Sequence, residues 1–101
     1  MDLTSKQRAQ LRGLANGLDT IVHLGKDGVG DNLIQQTDDA LEARELIKGR
    51  VLDNCPLSAR EGAQALAKAT RSDVIQVIGS RFVLYRESHS KEKDKRIKLV
   101  R

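Results

Sequence analysis

The stretch Thr20-Ile21-Val22-His23-Leu24-Gly25-Lys26-Asp27-Gly28 reads as a strand running into a glycine-framed turn, with a helix predicted to begin near Asp31. Strand, tight turn and helix in that order are the opening of an α/β fold, and the turn itself carries chemistry. Two glycines let the main chain approach a ligand closely. Behind them the free N–H groups of the next helix, with the positive end of its dipole, face the same place, and Lys26 adds a charge. That design suits a phosphate backbone. Taken alone the pattern is weak, because eight glycines in 101 residues often fall three apart and most such pairs only turn the chain.

Upstream, Leu3-Thr4-Ser5-Lys6-Gln7 opens with a capping box, in which Thr4 accepts from the Gln7 N–H and the Gln7 side chain returns to the Thr4 N–H. The helix it starts carries Gln7, Leu11, Leu14, Ala15 and Leu18 as a stripe expected to be buried, with Arg8 and Arg12 one turn apart on its flank; Asn16 or Gly17 ends it. Downstream of the glycine turn, Leu33, Ile34, Thr37 and Leu41 mark a second amphipathic helix whose acidic residues turn largely away from that stripe. It leads into a strand from Glu45 to Leu52, with Lys48 and Arg50 on one face and Ile47 and Val51 on the other. Gly49 weakens this strand and marks a bulge or a close backbone approach. Pro56 stops the element, and Ser58-Ala59-Arg60-Glu61 is another capping box, opening an alanine-rich helix that packs through Ala63, Leu66, Ala67 and Thr70. Val74 to Ile78 reads as a well-buried strand, Gly79-Ser80 as a hairpin turn and Arg81 to Arg86 as the returning strand.

The order α-β-α-β-α-β-β, with helical crossovers of about a dozen residues, predicts parallel pairing for the first strands and an antiparallel hairpin for the last two. The expected fold is α/β: a single compact domain with a four-stranded mixed sheet and packed helices over residues 1–87. Residues 88–101 form a basic C-terminal tail in which Ile97, Leu99 and Val100 are too sparse for a core of their own.

At 101 residues and 39% hydrophobic content the chain can bury one core without staples. One cysteine, Cys55, cannot close an internal disulfide, and no signal peptide or apolar run of membrane length is present, which points to the reducing cytoplasm and to no membrane contact. His23 in a strand and His89 in the tail leave no set with metal or triad spacing, and the glycine turn lacks the further glycine, lysine and hydroxyl of a nucleotide-binding P-loop. No enzyme, cofactor or metal is expected.

A net charge of +4 suggests a polyanionic partner, yet residues 91–101 hold six Lys or Arg against two acids, while the other ninety residues hold twelve of each. Any binding face on the body must therefore come from segregated charge. Asp38, Asp39, Glu42 and Glu45 gather in and just after the second helix, whereas Arg8, Arg12, Lys26, Lys48 and Arg50 lie elsewhere. Such groups either form binding faces or merely solvate exposed surface.

Four blocks, taken in order, resemble one family. They are Leu3-Thr4-Ser5-Lys6-Gln7-Arg8 with Leu14-Ala15-Asn16; Gly25-Lys26-Asp27-Gly28-Val29; Ala40-Leu41-Glu42-Ala43-Arg44-Glu45-Leu46-Ile47-Lys48; and Ile78-Gly79 with Val83-Leu84-Tyr85-Arg86. Over about residues 3 to 86 the chain resembles the bacterial YhbY proteins, free-standing examples of the CRM domain, named for chloroplast RNA splicing and ribosome maturation. The resemblance implies an RNA-binding domain that looks like the C-terminal domain of translation initiation factor three, with a GxxG loop among its RNA contacts. It also implies association with ribosomal RNA in precursors of the large ribosomal subunit. By the motif the loop role falls on Gly25, Lys26, Asp27 and Gly28; roles for Arg8, Arg12, Lys48 and Arg50 follow from charge and face instead. Gly30 stands where relatives tend to carry a hydroxyl residue, which leaves Asp31 to cap the second helix.

The expected mechanism is a clamp: loop amides and Lys26 hold the RNA backbone, Arg8 and Arg12 extend the contact, and the tail, as a disordered arm or a helix formed on RNA, adds non-specific attraction. Asp27 weakens phosphate binding unless it points away. Phe82 and Tyr85, the only aromatics, fall on opposite faces of one strand and give no platform for stacking successive bases, so shape and phosphate are read more than base identity. The alternative from another class is a protein-interaction adapter whose acidic second helix meets a basic ribosomal protein. The protein is expected to be a monomer.

Overall fold

The computed structural model describes residues 2–101. Thr4 caps the first helix, α1 (Ser5–Ala15), with both arms of the capping box formed: Thr4 Oγ1 accepts from the Gln7 N–H at 3.1 Å and Gln7 Oε1 from the Thr4 N–H at 2.9 Å. Ser58 and Glu61 repeat the device at α3 (Ala59–Thr70). Between and beyond them lie β1 (Thr20–Leu24), α2 (Asp31–Arg44), β2 (Leu46–Val51), β3 (Asp73–Ile78) and β4 (Arg81–Tyr85). The sheet runs β1-β2-β4-β3, with β1 parallel to β2 and the other pairs antiparallel, which is the expected four-stranded mixed sheet.

The two faces of the sheet are covered unequally. On one, α2 and α3 bury Leu41, Ala63 and Leu66 against Val22, Leu24, Ile47, Phe82 and Leu84. On the other, α1 alone brings Leu11 and Ala15 against Leu46, Ile75, Val83 and Tyr85. The backbone at Gly49 pairs with Phe82, and a Cβ there would overlap the Phe82 ring, which explains a glycine inside a central strand. At Gly62 a Cβ would lie 2.7 Å from Leu24 Cδ2, so this glycine lets α3 settle onto the sheet.

Five expectations are corrected. The strand from Val74 to Ile78 is an edge strand rather than a well-buried one. Its register slips between Val74 and Gln76, only Ile75 is buried, and Ile78 is 64% exposed. Leu14, placed in the buried stripe, lies at the rim of α1 beside Leu18, Arg44 and Ile97 and is 48% exposed. Asp31 does not cap α2; Gly30 occupies that position without a side chain and Asp31 sits in the first turn. Glu45, grouped with the surface acids, is fully buried and adopts a positive φ of 68° where α2 ends.

The tail is the fifth. Residues 88–101 lie against the body, with a single 3-10 turn at Lys93–Lys95, rather than as a free arm. Glu45 accepts from the Ser88 N–H at 2.8 Å and the Ile97 N–H at 2.7 Å. Glu42 accepts from the His89 N–H at 2.9 Å and the Ser88 hydroxyl at 2.9 Å, and these bonds, the His89 amide foremost, hold its carboxyl below the usual range. Further on, Gln10 brackets Lys98 and Val100, Gln7 donates to the Val100 carbonyl, and Ile97 and Leu99 pack on the α1-side core. Most of these anchors are backbone groups, which any sequence supplies, so side-chain patterning did not reveal them.

Candidate nucleic-acid interface

The Gly25-to-Gly28 turn closes with the Gly28 N–H donating to the Gly25 carbonyl at 3.0 Å. Gly28 has φ +63°, a region that disfavours side chains, so its glycine is required by the turn. Lys26 and Asp27 are exposed at the tip. Together with His23, Asn54 and the first turn of α2 they line an open cleft of about 600 Å³. α2 has 14 residues, so its unpaired N-terminal amides and dipole favour an anion in that cleft, while Asp31 in the same wall opposes one.

Beside the cleft, the part of the sheet that α1 leaves uncovered is basic. Arg50 pairs with His23 on β1 and with Arg81 on β4, giving a row across three strands at the end of the sheet where the glycine loop and the Gly79-Ser80 hairpin lie. Lys48 stands one step back, between Thr20 and Val83. Among the described residues the ion pairs are Arg86 with Asp38 and Glu42, and Arg96 with Glu87, so Lys26, Lys48, Arg50 and Arg81 take part in none. Two arginines directly opposite one another repel, and no carboxylate on the row offsets this.

The structure therefore places Gly25, Lys26, Asp27 and Gly28 in a loop at the end of the sheet where Arg50 lies, with Lys48 on the same face as Arg50 but further from that end. Arg8 lies at the other end: half-buried, it donates to the Val74 carbonyl on the edge strand at 3.1 Å and so ties α1 to β3. Arg12, one turn on, lies between the two. Arg81 and His23 were missed by the sequence reading, because their place beside Arg50 depends on inter-strand register that no local pattern encodes. Both aromatics are buried, Phe82 in one core and Tyr85 in the other; burial, reinforced by Glu45, pushes the Tyr85 hydroxyl up from 10 to about 12. Among the described residues no group of three or more His, Cys, Asp or Glu is placed to hold a metal, and no helix is long and apolar enough to cross a membrane.

The CRS1 / YhbY (CRM) domain matches residues 3–86. A Bacillus subtilis (strain 168) protein named "Probable RNA-binding protein YqeI" is 51% identical over 86 residues, covering 85% of this chain and 90% of that one. A Haemophilus influenzae protein named "RNA-binding protein" is 34% identical over 86 residues, with 85% and 87% covered. The solution structure of a hypothetical protein from Staphylococcus aureus superposes with a TM-score of 0.77 at 47% identity, over 98% of this chain and 100% of that one. With the domain match running through both cores, the glycine loop and the basic row, this chain belongs to the CRS1/YhbY (CRM) family.

Proposed function

We propose that the chain binds RNA, as the names of its relatives state for them, and that it holds the phosphate backbone between the Gly25-Lys26-Asp27-Gly28 loop and the Lys48, Arg50 and Arg81 face. The observation that carries this reading is the set of unpaired cations beside a helix N-terminus on one uncovered face. A row of like charges is unfavourable in the free protein and becomes favourable when a polyanion neutralises it. Asp27 is exposed at the loop tip, free to turn from the phosphate. Ribosomal RNA in precursors of the large subunit is the target we infer, with the protein assisting assembly in the cytoplasm as a monomer and without catalysis.

Two features favour a monomer. Arg8 covers the β3 edge at Val74, and Gln36 donates to the Ile21 carbonyl at 3.4 Å on the β1 edge, which blunts both strands against pairing. The adapter reading has less support, because Asp38 is engaged by Arg86, Glu42 by the tail, and Glu45 is buried, which leaves Asp39 as the exposed acid of that group.

Co-sedimentation of the tagged protein with ribosomal particles tests the proposal. Gly25→Asp is the loop variant of choice, since a Cβ at Gly25 meets only Asn54 Oδ1 at 3.8 Å, whereas Gly28 holds a positive φ. The natural chain should travel with large-subunit precursors and Gly25→Asp should remain at the top of the gradient. Equal co-sedimentation would remove the loop from the interface; a natural chain absent from the particles would refute the ribosomal target.

A further inference from the structure

A second, smaller cleft of about 190 Å³ lies on the same sheet face as Lys48 and Arg81, lined also by Asn16, Gln76 and Ile78, with Ala15 and Val83 among its apolar walls. We propose that this cleft takes one unpaired RNA base and reads its edge, so that the protein discriminates bases as well as holding phosphates. The inference rests on the RNA-binding reading above and goes beyond the expectation that shape and phosphate are read more than base identity.

Size comes first: a cavity of about 150 Å³ accommodates a benzene ring, so this cleft suits a single base and excludes a base pair. Its lining then supplies what an unstacked base needs. Ile78 is a large apolar side chain of the lining, 64% exposed, and a flat ring covering it would remove that surface from water. Asn16 and Gln76 each present an amide with donors and an acceptor, the groups that pair in a bidentate way with adenine more readily than with other bases. Lys48 and Arg81 stand beside them for the flanking phosphates.

The bulge in β3 is what puts Gln76 there. Val74 and Val77 pack with the core under α2 and α3, while Ile75 belongs to the core under α1. Strict alternation from Ile75 would send Gln76 to the α3 side and Val77 to the α1 side. The register shift between Val74 and Gln76 instead pairs Gln76 with Val83 and places it in the cleft beside Lys48. Bulges re-aim side chains, and this one points an amide at the basic face.

The test uses the full chain and single-stranded oligoadenylate, oligocytidylate and oligouridylate of equal length at one salt concentration. Oligoadenylate should bind about tenfold more tightly than the others, and Asn16→Ala/Gln76→Ala should level the three affinities while leaving the weakest unchanged. Ile78→Ser, at an exposed position that leaves the core intact, should weaken oligoadenylate binding. A natural chain that binds all three equally, or a preference that survives in both variants, overturns the base pocket and leaves phosphate binding standing. Failure of every oligonucleotide to bind would overturn the pocket together with the RNA reading.

Discussion

Glu45 and Arg50 lie at the two ends of β2 and are treated in opposite ways. Glu45 is fully buried, and both its oxygens accept backbone N–H groups from the tail. Arg50 is exposed, with His23 and Arg81 on either side and no carboxylate against it. The contrast extends to their surroundings: Asp38, Glu42, Glu87, Arg86 and Arg96 near the tail have internal partners, whereas Lys26, Lys48 and Arg81 near the glycine loop have no ion-pair partner among the described residues. A buried charge must be satisfied within the fold or it destabilises the fold. An exposed charge left among its own sign contributes nothing to folding and is available to a partner.

Substitution at the two ends of β2 should separate these roles most strongly. Glu45→Ala leaves two amides without their charged acceptor, so a loss of about 3 kcal/mol is expected in denaturant unfolding. Arg50→Ala should stay within about 0.5 kcal/mol of the natural chain in the same measurement and weaken RNA binding instead. Equal destabilisation by both would break the comparison.

The glycines sharpen it next. Gly49→Ala drives a methyl into the Phe82 ring and should cost about 1 to 3 kcal/mol, whereas Gly25→Ala, whose methyl makes only an ordinary contact with Asn54 Oδ1 at 3.8 Å, should leave stability within about 0.5 kcal/mol. The first glycine serves packing; the second is free of that duty, which is what the proposed loop contact with RNA requires.

Titration should give a smaller and directional difference. Tyr85 is held neutral by burial, so the folded state resists ionisation: stability from this group is complete below pH 10 and is lost as the pH rises from 10 toward about 12. Ultraviolet difference absorbance should show no tyrosine ionisation near pH 10 while the protein remains folded. Glu42 works in the opposite sense. Its folded pKa lies below the ordinary 4.5, so its contribution is present above that value and is lost as the pH falls through the lowered one. Hydrogen-exchange protection at His89 and Ser90, taken relative to the intrinsic rate at each pH, should then be lost in acid before protection in the central strands is.

What could be read in the sequence follows the same division between local and distant. Both capping boxes, the glycine turn, the apolar stripe of α3 and the Gly79-Ser80 hairpin were legible because each depends on residues a few positions apart. The latch at Glu45 was not, since Ser88 and Ile97 lie 43 and 52 residues away and contribute only backbone. Nor could the basic row be read in full: Lys48 and Arg50 share a face by strand parity, but Arg81 and His23 join them through pairing and through register shifts in the edge strands. The pattern identified the glycine loop and half of the basic face next to it.

The most direct test of the central claim is the salt dependence of RNA affinity for the natural chain and for Lys48→Ala/Arg50→Ala/Arg81→Ala. If these three cations meet phosphates, the triple variant should bind more weakly, its slope of log affinity against log salt should be shallower by about 2, and its unfolding midpoint should not fall. An unchanged slope and affinity would show that the uncovered basic face is solvated surface and that RNA is held elsewhere on the molecule.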